Sequence, residues 1–297
     1  MSIAPICIFT YNRLEETRKT ISSLKKNYLA SESHVYIFSD GPKNKNASKE
    51  VDEVRNYLHS ITGFKKIKIF EANINKGLAK SIIYGVSKVF EDYDKVIVVE
   101  DDLITSQNFL DFMNQGLEYY KDSENIFSIS GYSFDLKTLN NLKEDYYFGV
   151  RSSSWGWGTW KYNWETIDWE VKSYSNFKKD KLKRKEFNKG GSDLSNMLDN
   201  QMNGKIDSWA IRFCYQQFLC NKATVFPKKS KVQSIGFSEK ATHTHKTKRF
   251  NTTLDVSNKR SFTFEKFQTY NDSLIKEFYS KFSLYSRLKD KFLQIIN

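Results

Sequence analysis

The chain carries 297 residues, 39% of them hydrophobic and 28% charged, which is enough for one large α/β domain and too polar for a membrane-spanning or disordered chain. Its formal net charge of +12 calls for an anionic partner. The basic residues are spread out rather than gathered in one recognisable motif, so nucleic acid is not the expected partner; a nucleotide diphosphate, an anionic glycan or an anionic membrane surface is.

In chain order, residues 3–9 read as a strand and residues 14–26 as a helix, with Leu14, Thr17, Ile21 and Leu24 at helical spacing. Residues 35–38 form a second strand, ending in Ser39-Asp40-Gly41-Pro42. A polar helix follows over 48–61, with Ser48 as its expected cap. Residues 67–70 are a third strand, closed by EANINKGLAKS, and 78–90 a third helix. The fourth strand is KVIVVEDDL, residues 95–103. Its consecutive apolar residues, with no polar alternation, predict a strand buried on both faces. Strand–helix alternation implies right-handed crossovers and a mostly parallel sheet flanked by helices. Every strand then delivers its polar end to one edge: Thr10-Tyr11-Asn12-Arg13, Asp40, Asn73 and Asn75, and Glu100-Asp101-Asp102. Further on, residues 108–121 read as a helix, 126–130 as a strand and 210–219 as a buried helix.

Three adjacent carboxylates repel one another, and desolvation raises their pKa values. A hard divalent ion such as Mg²⁺ or Mn²⁺ relieves that cost. Glu100-Asp101-Asp102 is therefore read as a metal and pyrophosphate site in preference to a solvated acidic turn. Arg13 suits a phosphate, and Asp40 suits a uracil or ribose. Asn75-Lys76-Gly77 opens a helix whose N–H groups favour an anion or a sugar hydroxyl. Neither a dinucleotide nor a P-loop glycine signature is present.

TYNR, SDGP, N-x-N-K-G-L-A and VVEDDL, in that order, resemble the nucleotide-sugar-binding half of a GT-A glycosyltransferase. The nearest pattern is that of the family 2-like bacterial polysaccharide enzymes similar to N-acetylglucosaminyltransferase I, and it covers roughly residues 1–245. The resemblance implies a Rossmann-like GT-A fold in a single catalytic domain over residues 1–250. Residues 1–105 would hold the donor, residues 106–250 the acceptor, and 251–297 would be a helical extension. It implies an inverting hexosyl- or N-acetylhexosaminyltransferase that uses a nucleotide diphosphate sugar, UDP-linked, and Mn²⁺ or Mg²⁺. Asp102 would ligate the metal, while Glu100 and Asp101 would contact the donor's sugar and ribose. Thr10, Tyr11, Asn12, Arg13, Asp40, Asn75, Lys76 and Gly77 would complete the donor site. The acceptor would be a glycan or lipid-linked glycan in surface polysaccharide synthesis. Two other readings are a sugar nucleotidylyltransferase, whose N-terminal glycine-rich signature is absent, and a binding protein without turnover.

In the second half, SSSWGWGTW, residues 152–160, sets tryptophans among glycines and hydroxyls. These rings either stack on sugar faces or fill a core corner. In the resembled family such a W-G-W stretch lines the active site, which makes Trp155, Gly156, Trp157 and Trp209 acceptor-binding candidates. Asp207, in Asp207-Ser208-Trp209, is either a residue of a helix start or, by the resemblance, the general base. His243, after the I-G-F stretch, would close over the diphosphate and complete the metal's ligands. Residues 274–296 predict an amphipathic helix that either lies on an anionic membrane or packs against the domain or a second subunit. No apolar run approaches the ~20 residues of a spanning helix, and the N-terminus has no basic segment before its apolar run. Cys7, Cys214 and Cys220 lie in apolar segments without zinc spacing, so reduced thiols are expected in a cytoplasmic enzyme, at the inner face of the membrane.

Overall fold

The computed structural model describes residues 2–236 and 249–296, with side chains up to residue 290. The elements run β1 (Ile6–Thr10), α1 (Leu14–Lys25), β2 (His34–Ser39), α2 (Lys45–His59), β3 (Lys66–Glu71), α3 (Leu78–Val89), β4 (Lys95–Glu100), β5 (Leu103–Thr105) and α4 (Phe109–Tyr119). The chain continues through β6 (Ile126–Ser130), β7 (Tyr146–Gly149), β8 (Trp157–Trp160), α5 (Lys161–Glu165), α6 (Tyr174–Lys179), α7 (Lys181–Phe187) and α8 (Leu194–Met202). It ends with α9 (Trp209–Leu219), β9 (Ala223–Pro227), β10 (Val232–Ser234), α10 (Asp272–Lys281) and α11 (Leu284–Ile296).

Among the described residues the main sheet has eight strands in the order β3-β2-β1-β4-β8-β6-β9-β7. Only β7 and β8 run against the others. β1 pairs in register with β2 and β4, Ile8 lying opposite Ile37 on one side and Val99 on the other. Both faces of these strands are covered. Ile6, Ile8, Ile97 and Val99 pack toward α1 and α4, and Cys7, Phe9, Val96 and Val98 toward α3 and α9. The unbroken apolar run of β4 follows from that double burial. β10 pairs antiparallel with β5 in a second, two-stranded sheet, which brings residues 232–234 alongside the residues that follow the acids.

Several boundaries differ from the sequence reading: the predicted 274–296 helix is two, α10 and α11, and two other shifts have a local cause. β1 begins at Ile6 because Pro5 has no N–H to give a ladder, though its carbonyl accepts from Ile97 N at 2.9 Å. α2 starts at Lys45, capped by Asn44, whose side chain accepts from Ala47 N at 3.1 Å, and Ser48 lies inside the helix. Asn is as good a cap as Ser, and it comes first.

The segment after residue 250 packs on α4 and the far end of the sheet. Phe262 and Phe264 lie against Phe112, with ring centroids 5.2 and 5.5 Å away. Leu274, Phe278 and Phe282 are buried, and Phe278 meets Phe134 at 5.3 Å and Phe226 at 5.5 Å. Phe278→Ala should therefore cost about 3–5 kcal/mol of stability in urea denaturation, as a cavity in a shared core does. An unchanged midpoint would show that this segment folds apart from the sheet.

Candidate active site

Every strand that ends at the acidic edge brings a polar group with it. Arg13, at the start of α1, reaches across to β4 and pairs with Asp101 and, at 3.1 Å, with Asp102. Asp101 is buried, while Glu100 and Asp102 are partly covered. Burial, then the charges of Asp102 and Asp101, push the Glu100 carboxyl up to about 8. Burial pushes Asp101 up to about 6, against the pull of Arg13. One guanidinium facing three carboxylates leaves an excess of negative charge in a poorly solvated place.

The far side of this edge is built without side-chain bulk. Ile235 N donates to Asp102 O at 2.8 Å, extending the β5–β10 pairing up to the acids. Gly236 follows, and a Cβ there would stand 2.0 Å from Asp102 Oδ2. Only hydrogen fits beside that carboxylate. Gly236 was not among the residues singled out from sequence, and its only signal was the I-G-F string. His243 lies outside the described residues.

Asp40, expected to meet a base or ribose, also holds the loops of this edge together. Its Oδ1 accepts from Gly41 N and Lys76 N, and its Oδ2 from Gly77 N, each at 2.9 Å. It fastens the 75–77 turn to the end of β2. Asn75 adds a bond from its Nδ2 to Gly41 O at 2.9 Å. The two loops approach so closely that a Cβ on Gly41 would lie 2.4 Å from the Ile74 backbone. Arg55, also unforeseen, props the same loops by donating to Ala72 O at 2.7 Å. Asn12 is engaged with Glu50 at 2.6 Å, and Tyr11 OH accepts from Lys43 N at 3.1 Å. Thr10 Oγ1 is buried and makes no hydrogen bond.

Asp207 reaches this edge from the second half of the chain. Gly77, with φ +78°, precedes α3, and a Cβ built on it would stand 3.9 Å from Asp207 Oδ2. Ser208 caps α9 by accepting from Ile211 N at 3.3 Å, so the cap role falls to Ser208 and not to Asp207. Arg212 Nη2 donates to Asp207 Oδ1 at 3.3 Å, and the Asp207 side chain stays 57% exposed. The other acid of this region, Asp199, is occupied by both guanidinium nitrogens of Arg184 and by Tyr174.

The tryptophans divide. Trp157 is fully buried and stacks between Trp209 at 4.8 Å and Trp164 at 5.9 Å, and Trp209 is 3% exposed. Neither ring has a free face, which corrects their expected place in a sugar platform: they wall the α3–α9 side of the core. Gly156, with φ +58°, makes the sharp turn into β8, where a Cβ would strike Val232. Trp155 stays half-buried, edge-on to Tyr132 at 4.7 Å and Phe250 at 5.5 Å.

Among the described residues no three His, Cys, Asp or Glu side chains close around one point. The donor set fits an ion all the same. Asp102 offers carboxylate oxygen, the donor type a hard divalent ion takes, beside excess negative charge, with its Oδ2 shared with Arg13 at 3.1 Å and closed on one side by Gly236. Because the folded chain holds the Glu100 and Asp101 protons more tightly than the unfolded chain, their contribution to stability is full below the ordinary carboxylate range. It is lost as pH rises toward about 8. The melting temperature should thus fall between about pH 5 and pH 8, Mn²⁺ should restore more of it at the upper end, and Glu100→Gln should flatten the profile. A wild-type profile that is flat and indifferent to Mn²⁺ would contradict this.

Among curated proteins, none matches the chain in sequence. Of solved structures, it is similar to the mannosyltransferase PcManGT from Pyrobaculum calidifontis in complex with GDP-Man and Mn²⁺, at 9% identity and a TM-score of 0.38, over 54% of this chain and 45% of that one. It is similar to S. aureus TarS at 12% identity and a TM-score of 0.41, over 77% of this chain and 36% of that one. A cytidylyltransferase from Leptospira borgpetersenii serovar Hardjo-bovis matches at 12% identity and a TM-score of 0.35, over 57% of this chain and 64% of that one. The chain thus spans less than half the length of the first two. The family described as glycosyl transferase family 2 matches residues 6–194, well over half of the chain and including Glu100, Asp101 and Asp102. With an α/β sheet of GT-A type, the chain belongs to glycosyl transferase family 2.

Proposed function

We propose that this glycosyltransferase moves a hexosyl or N-acetylhexosaminyl group from a UDP-linked sugar to a hydroxyl of a glycan or lipid-linked glycan, with inversion, in surface polysaccharide synthesis. One observation carries the reading. Arg13 with the acids of β4, the Asp40-fastened 75–77 turn and the exposed carboxylate of Asp207 stand along a single sheet edge.

In this reading the donor's diphosphate lies against Arg13 and the N-terminus of α3, where a guanidinium and backbone N–H groups favour an anion. Asp102 would hold Mn²⁺ or Mg²⁺, which when bound supplies Lewis-acid neutralisation of the leaving diphosphate. Glu100 and Asp101 would face the donor's sugar and ribose. Asp207 takes the proton of the acceptor hydroxyl as that oxygen attacks the anomeric carbon, and Arg212 holds its carboxylate in one direction. Capping by Ser208 and the engagement of Asp199 elsewhere support Asp207 in that role. Trp155 is the remaining ring of the four-residue acceptor set that can meet a sugar. Cys7, Cys214 and Cys220 are free, which supports a reducing, cytosolic setting. If the acceptor is the lipid-linked glycan, the enzyme would work at the inner face of a membrane.

Asp207→Asn should keep UDP affinity by calorimetry near wild type and lower transfer by about 10²–10⁴. Wild-type transfer would remove Asp207 as the base. Asp102→Ala, or EDTA on the wild type, should abolish turnover, with Mn²⁺ or Mg²⁺ rescuing only the chelated enzyme. Full activity in EDTA would end the metal reading.

A further inference from the structure

The final helix differs from the segment before it. Phe282 is buried with the Arg151 guanidinium 3.8 Å over its ring, and Arg287 Nη2 donates to Ser192 Oγ at 3.2 Å. These contacts root α11. Beyond them Leu284, Tyr285 and Leu288 are 60%, 75% and 57% exposed. At 3.6 residues per turn the three fall within about 100° of arc, so they form one apolar stripe. Lys289, also exposed, borders it, while Arg287 turns to the protein on the other side.

We propose that this stripe docks the enzyme on an anionic bilayer, with α11 lying in the headgroup plane. An apolar stripe with a basic residue, Lys289, at its border is the pattern of an interfacial helix. A second copy of the chain is a poor occupant. It would bring a like net charge of +12, and a stable interface takes about 20–30 residues a side where this stripe offers three. An anionic surface attracts the same charge. The 13 residues described rise roughly 20 Å, less than a hydrocarbon core of about 30 Å, and so suit lying flat. Among the described residues no helix is long and apolar enough to cross.

The root of α11 fixes what faces the bilayer. Phe282 lies 6.0 Å from Phe250, which lies 5.5 Å from Trp155, the half-buried ring on the acceptor side. Docking on α11 therefore anchors the enzyme within two ring contacts of that side, which suits an acceptor carried on a lipid; this last step rests on the proposed reaction.

The test is co-sedimentation of the full chain with phosphatidylcholine vesicles and with vesicles containing about 30% phosphatidylglycerol. Binding should require the anionic lipid and fall with added salt. Lys289→Gln should weaken it about fivefold. The double variant Leu284→Asp, Leu288→Asp should abolish it at an unchanged melting temperature, since both side chains are exposed. No binding by the wild type at low salt, wild-type binding by the double variant, or a solution dimer that the double variant dissolves would each overturn the proposal. UDP binding, read separately by calorimetry, counts for or against the transfer reaction and not against docking.

Discussion

Negative charge concentrated at the end of β4 is the constraint on which the rest of the structure depends. Glu100, Asp101 and Asp102 are consecutive, partly or fully covered, and among the described residues Arg13 is the cation that pairs with them. A buried strand must carry them there, which explains why β4 is apolar on both faces. The β5–β10 pair must approach without a side chain, which explains Gly236. The loops of β2 and β3 must stay fixed beside the acids, and Asp40 uses both of its oxygens to do so. Among the described residues such a site is short of positive charge, and the proposed divalent cation would supply it.

The second half of the chain supplies walls more than contacts. The stack of Trp157, Trp164, Trp209 and Phe213 sets the position of α9 against α3, and so the place of Asp207 above Gly77. The residues after 250 close the opposite face. Lys231 forms a buried ion pair with Asp255, which also accepts from Asn108 Nδ2 at 3.0 Å. Breaking one partner of such a pair leaves an uncompensated buried charge. That pair ties the approach to β10, and with it Gly236, to the start of α4.

The fold and the donor edge were legible in the sequence because they rest on local patterns. Apolar runs ended by polar turns gave the four parallel strands in order, and three adjacent acids announced themselves. What stayed hidden depends on contacts between distant residues. Nothing local distinguishes a tryptophan that stacks on sugar from one that stacks on Trp164, so Trp157 and Trp209 were placed on the wrong side of the wall. Asp40 read as a ligand contact because its three N–H donors come from its own turn and from residues 76 and 77. Arg212 and Gly236 carried no motif of their own. Asp207 reads as a helix-start residue, and the backbone gives the cap of α9 to Ser208 instead.

The central claim is that the acids of β4 form a cation site completed by a nucleotide diphosphate. Electron paramagnetic resonance of free Mn²⁺ during titration with the protein tests it most directly. Wild-type protein should remove part of the free-ion signal, UDP should deepen that loss because its diphosphate completes the ligand set, and Asp102→Asn should restore the signal in both cases. A signal untouched by the wild type, or lost equally to the Asp102→Asn variant, would contradict the account.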